Sequence, residues 1–336
     1  MLQEAWFLLI GVLLVGYAIL DGFDLGVGML HLFLARDDRE RRLLMNSIGP
    51  VWDGNEVWLL TAGGAIFAAF PRVYATVFSG FYLALMLLLV GLILRAVSLE
   101  FRSKVEDRRW RASWDVAFAI GSFLPALLFG VAIGNVLRGL PLTGDGEFAG
   151  TFFGLLNPFA VVIGLLSTAM FLMQGASWLT LKTTGVLRAR AVAVARASWI
   201  AFIALWLGAT AFAFVEAPRL FANYDRPLTW IAPLLFVACT AAFPIALAHG
   251  GGRPFALSSL SIASLIAIMG QALFPYMVPS LGDPTLGLTI RNASSSPLTL
   301  QVMLTIALIG MPFVVAYTIW IYRHFRTPVV LDEHSY

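Results

Sequence analysis

The sequence predicts an all-α integral membrane protein with nine transmembrane helices. Three observations carry that prediction. Of 336 residues, 60% are hydrophobic and only 12% are charged, against about 25% charged in a soluble domain. The apolar residues form long unbroken runs rather than alternating, which excludes a transmembrane β-barrel. The basic residues gather in the gaps between runs, where topology demands them. The net charge of +3 is therefore no nucleic-acid footprint, and the chain reads as one polytopic membrane domain over 1–336.

A spanning helix needs about 20 residues. The start Met-Leu-Gln-Glu lacks the basic region of a signal peptide, so the first run is expected to be retained. The predicted spans are 5–34, 52–70, 73–95, 114–137, 156–180, 196–216, 228–248, 255–277 and 299–322. The run Ala5–Leu20 is too short to cross alone, so the first span continues through Asp21 and Asp24. Val57–Phe70 is also short, so the second span recruits Trp52-Asp53-Gly54-Asn55-Glu56. The third ends at Arg95. Pro125 and Pro244 predict kinks in the fourth and seventh. Gaps 138–155 and 278–298 read as loops. The run from Arg102 to Arg111 reads as a loop facing lipid headgroups.

Orientation follows from the basic residues. Sixteen of the 22 Lys and Arg fall on one side of this arrangement and five on the other, with Arg95 at a helix end. The richer side is the inner one. That places the N-terminus outside and the C-terminus inside.

The acids are the chemically informative residues, because charge inside hydrocarbon is costly. At about 1.5 Å per residue, Asp21 lies roughly 24 Å from the start of its helix, in the inner half of the membrane. Asp21, Asp24 and Gly28 share a helix face. Gly22 and Gly26 allow another helix to approach closely. Asp53 and Glu56 stand one turn apart at the start of the second span. There, helix capping competes with a functional role, and for Glu56 capping is the favoured reading. Arg95 is either an interfacial residue or the counter-charge of these acids. Two buried carboxyls so close together disfavour carrying two charges at once, which suits proton exchange.

Other chemistries lack their residues. Cys239 is the single cysteine, so no intrachain disulfide or thiolate cluster is available. The four histidines are His31, His249, His324 and His334. Only His31 is predicted near membrane depth, and no facing pair for a haem is evident. Nucleotide-binding glycine loops and metal-binding clusters are absent from the sequence. Proton uptake and proton-coupled transport remain as readings of the residues themselves.

Several stretches carry a resemblance: Asp21-Gly-Phe-Asp-Leu-Gly-Val-Gly28, Asn46-Ser-Ile-Gly-Pro-Val-Trp-Asp-Gly-Asn-Glu-Val-Trp-Leu59, Gly63-Gly-Ala-Ile-Phe-Ala-Ala-Phe-Pro71, Trp114-Asp115, Gly121-Ser-Phe-Leu-Pro125, Leu156-Asn-Pro-Phe159 and Phe274-Pro-Tyr-Met-Val-Pro279. Nearly end to end, the chain resembles subunit II of the cytochrome bd-type quinol oxidases, with the cyanide-insensitive branch left open. The 217–227 loop is short for that family. The resemblance implies two four-helix bundles plus one peripheral helix. It implies a partner, subunit I, holding two b-type haems and one d-type haem, while this chain binds none. The complex would oxidise quinol and reduce dioxygen to water in a bacterial inner membrane, drawing protons from the cytoplasm without pumping. The family's proton-entry acids match Asp21, Asp24 and Asp53, with Trp52, Arg95 and Glu56 as supporting residues. A structural quinone and a small third subunit remain open.

Two other function classes fit the same residues. One is a proton-coupled secondary transporter, which would need interrupted helices at matching places in two repeats. The other is a purely structural partner whose acids serve assembly.

Overall fold

The computed structural model describes residues 1–331; the remainder, with His334, lies outside the described residues. Eleven helices of eight residues or more are formed among them: α1 (Leu2–Leu34), α2 (Asp38–Ile48), α3 (Trp52–Ala69), α4 (Pro71–Gly80), α5 (Tyr82–Phe101), α6 (Arg108–Arg138), α7 (Pro158–Lys182), α8 (Gly185–Glu216), α9 (Ile231–His249), α10 (Arg253–Leu273) and α11 (Pro297–His324). Eight helical segments are long and apolar enough to cross a membrane. These contain every helix above except α2, α3 and α4. The predicted second span, 52–70, is therefore present as α3 but does not meet that standard. Its polar first turn, Trp52 to Glu56, lowers the hydropathy of an 18-residue helix.

Helix boundaries follow local chemistry. Asp107 caps α6 through Trp110 N–H at 2.8 Å, and Asn157 caps α7 through Ala160 N–H at 3.0 Å. Ser296 caps α11, and Pro158 and Pro297 occupy first-turn positions where no N–H is needed. Gly139 ends α6 with φ of +97°, a conformation that a side chain would strain.

The predicted span 73–95 is corrected. The chain breaks at Phe81 (φ −99°, ψ 17°), and the long apolar helix runs from Tyr82 to Phe101. Gly80 packs against the Phe148 ring, which holds the break in place. Arg95 consequently sits well inside α5 rather than at its end, and the interfacial reading of it fails. The 102–111 run is not a free loop: Arg102 is buried, and Arg108–Arg111 form the first turn of α6. The 278–298 gap is not entirely loop either. A short antiparallel pair, β1 (Tyr276–Val278) and β2 (Leu288–Thr289), adds a small sheet to an otherwise helical chain.

α1 is the central helix and packs against α3, α6, α7 and α10. Its contact with α7 is backbone to backbone: a Cβ on Gly26 would lie 2.1 Å from Phe171 O, and one on Gly175 would lie 2.5 Å from Gly26 C. α5 and α6 meet in the same way at Gly91 and Gly121. The loops gather at two ends. Arg291 pairs with Glu4 at 2.9 Å, and Ser295 bonds Ala68 O at 2.6 Å, which defines a Met1 face. Arg190 bonds Leu34 O and Glu40, and Arg102 bonds Asp38, which defines an opposite α2 face.

Candidate functional site

α1, α3 and α5 converge about two-thirds of the way along α1 and enclose a charged centre. Asp21 and Asp24 are fully buried, as is Arg95. Arg95 Nη1 donates to Asp21 Oδ1 at 2.6 Å, and Nη2 donates to Glu56 Oε2 at 3.1 Å. The close α5–α6 contact at Gly121 seats Arg95, since the Gly121 position lies against the Arg95 backbone nitrogen. Asn55 Nδ2 donates to Asp24 Oδ2 at 2.8 Å and to Leu20 O at 3.3 Å. The Tyr322 hydroxyl, from α11, donates to Asn55 Oδ1 at 2.8 Å.

The centre thus holds three carboxyl groups around one guanidinium. All ionised, they would leave two uncompensated negative charges in a largely buried volume, which is costly. Asp21 Oδ2 and Asp24 Oδ1 make no close hydrogen bond, and the Tyr17 hydroxyl stands beside Asp21, one turn earlier on α1. Those unpaired oxygens are where protons can sit. The arrangement can therefore hold and exchange protons.

The predicted site residues divide. Asp21, Asp24, Glu56 and Arg95 come together. Glu56 is an ion-pair partner of Arg95, which corrects the capping reading. Asp53 stands exposed on the first turn of α3, outside that bonded set, while Trp52 is half-buried against the core. The sequence reading did not single out Asn55 and Tyr322. Asn55 lay inside the quoted Trp-Asp-Gly-Asn stretch, but Tyr322 is distant in sequence and carried no signal.

A second buried centre was missed altogether. Asp115 accepts from Arg102 Nε at 2.5 Å and from Arg41 Nη1 at 2.7 Å, and it lies 2.5 Å from His31 Nε2. Arg102 also reaches Asp38 at 2.8 Å. The signal was present as a seven-residue spacing. Asp24 and His31 are two turns apart on α1, as are Arg95 and Arg102 along α5 and its extension, so the two centres stack along one interface.

His31 is committed to Asp115, His249 Nδ1 lies 2.8 Å from its own helix's Ile245 O, and His324 stacks on Trp320. Among the described residues, no group of three or more His, Cys, Asp or Glu side chains could hold a metal.

Fold and centre together define a multi-span helical membrane protein built around buried, paired acids. The family pattern for cytochrome bd terminal oxidase subunit II matches residues 2–325, and the chain belongs to that family. It is 41% identical to the cytochrome bd-I ubiquinol oxidase subunit 2 of Escherichia coli K12, over 96% of this chain and 93% of that one. It is 36% identical to the cytochrome bd ubiquinol oxidase subunit 2 of Bacillus subtilis, over 99% and 98%. The solved bd oxidase structure from Geobacillus thermodenitrificans shares the fold, with a TM-score of 0.63, 13% identity and coverage of 97% and 96%.

Proposed function

We propose that this chain is the haem-free subunit II of a quinol-oxidising, dioxygen-reducing complex in the bacterial inner membrane. It supports a subunit I that carries two b-type haems and one d-type haem, which supply the redox chemistry. Its own contribution is a proton path from the cytoplasmic side, so the complex is electrogenic without pumping. Asp21 and Asp24 hold the proton in transit, Arg95 and Glu56 set the local charge, and Asp53 offers a surface carboxylate one turn away. The observation that carries this reading is the excess of carboxyls over guanidinium in a buried centre, with carboxyl oxygens left unpartnered.

Nine crossings remain our reading. α3 is about 27 Å long, close to the roughly 30 Å hydrocarbon thickness. It runs from the Asp24 level to the Met1 face, where Ser295 bonds its last turn. α11 buries only Leu300 and is the most peripheral of the long helices. Apolar side chains are left bare on α3, α5, α8, α9 and α11, where lipid or subunit I would cover them.

The test is turnover by Asp21→Asn and Asp24→Asn in the assembled, haem-loaded complex. Both are expected to slow quinol-driven oxygen consumption by about tenfold or more, the scale of a lost proton-transfer group. Wild-type rates would remove them from the path. Loss of haem from the complex would favour a purely structural role.

A further inference from the structure

A polar cleft of about 520 Å³ opens on the α2 face, and Tyr322 lines it. Asn46, Ser47, Lys182, His324 and Thr327 line it too. Its outer wall is the strap that follows α11. Lys182 fixes that strap by donating to Phe325 O and Thr327 O, and Val329 N–H returns to Lys182 O at 2.9 Å.

The cleft ends two hydrogen bonds from Asp24. Tyr322 donates to Asn55, and the same Asn55 donates to Asp24. Two other hollows among the described residues are mainly apolar. One, of about 180 Å³, reaches Tyr17 one turn from Asp21 but is otherwise bounded by residues such as Leu14, Leu59, Phe129 and Met170. The other, of about 530 Å³, is bounded by residues such as Phe7, Leu8, Ile266 and Phe274. Water enters a cavity that gives it two to four polar partners and leaves apolar ones dry. The cleft meets that condition.

Asn55 itself is a poor proton conductor. Its amide accepts on oxygen and donates from nitrogen, and passing a proton along would require it to tautomerise. By this route a proton reaches Asp24 on water that enters when the Tyr322–Asn55 contact opens. We propose that the cleft is the aqueous entrance through which Asp24 exchanges protons with the α2 face, and that the Tyr322–Asn55 hydrogen bond is the latch that closes it. Tyr322 acts as a positioning residue. The inference rests on the reading of Asp21 and Asp24 as proton-handling groups, and adds an entrance distinct from exposed Asp53.

The experiment uses the intact two-subunit complex in vesicles that expose the α2 face. Cys239 is replaced by Ala, and Thr327→Cys places a thiol in the cleft wall. A methanethiosulfonate reagent with a bulky charged group is then coupled to it as a mixed disulfide. Labelling is expected to slow oxygen consumption about tenfold, most strongly at alkaline pH where proton supply limits, with the haem spectrum unchanged. Tyr322→Phe, which removes the latch and keeps Asn55, is expected to raise oxygen consumption by the unlabelled complex at alkaline pH; an unchanged rate refutes the latch. Should labelling leave turnover intact while Asp24→Asn slows it, protons enter elsewhere and the entrance is refuted. Should labelling slow a complex that Asp24→Asn does not, the cleft acts on something other than the acids, which also refutes it. If neither change matters, the proton-path reading falls as well. Val330→Cys, on the same strap, replaces Thr327→Cys if that variant loses its haems.

Discussion

Arg95 is the residue on which the acid centre depends. It has no exposed surface and holds Asp21 and Glu56 at once. Removing one partner of a buried ion pair leaves the other charge stranded, at a cost of about 3–5 kcal/mol. Arg95→Leu should therefore lower the denaturation midpoint of the detergent-solubilised chain far more than Arg95→Lys, which keeps the charge. Equal midpoints would mean that the acids are not ionised around it. Asp115 predicts the same size of effect for a different reason. It satisfies Arg102, Arg41 and His31 together, so Asp115→Asn weakens the tie between α1, α2, α5 and α6. That loss should appear in stability even where turnover per haem is unchanged. The acids were legible in the sequence because charge in an apolar run is conspicuous. Arg95 was legible as one of two readings, counter-charge or interfacial residue, because it closed a predicted run; the ion-pairing of Asp115 was not, because its partners His31, Arg41 and Arg102 come from distant parts of the chain.

At the scale of elements, glycine decides where helices meet. Gly26 and Gly175 bring α1 and α7 into backbone contact. Gly175→Ala should cost about 1–3 kcal/mol, the range for forcing extra atoms into a packed contact. Gly64 on α3 has nothing within 4 Å of an added Cβ. Gly64→Leu should leave the isolated chain's stability almost unchanged, within about 0.5 kcal/mol. If α3 faces subunit I, the same change should reduce co-purification of the two subunits; full recovery of the complex would place α3 against lipid instead. Small residues were readable in the sequence as sites of close approach. Which of them approach each other was not, because each helix offers several such faces.

The whole molecule is polarised from end to end. Basic residues crowd the α2 face, and Arg41, Arg102, Arg111 and Arg190 are held in ion pairs there. Their asymmetry predicts that a fluorescent protein fused at the C-terminus matures in the cytoplasm, whereas alkaline phosphatase fused there stays inactive. An active phosphatase would invert the topology and place the Tyr322 cleft on the wrong side for proton uptake from the cell interior.

Composition and run length by themselves determined a multi-span helical protein, because hydrocarbon tolerates no long polar segment and leaves the backbone only helices or closed barrels. They also marked Asp21 and Asp24, whose burial conflicts with ordinary solvation. Tertiary structure alone decided that Glu56 joins them while Asp53 does not, that Phe81 breaks the third apolar run, and that Tyr322 closes over Asn55. These outcomes depend on which helix faces which. Most spans are apolar on nearly every side, so hydropathy says that a residue lies in the membrane and leaves its neighbours to packing and hydrogen bonds between distant parts of the chain.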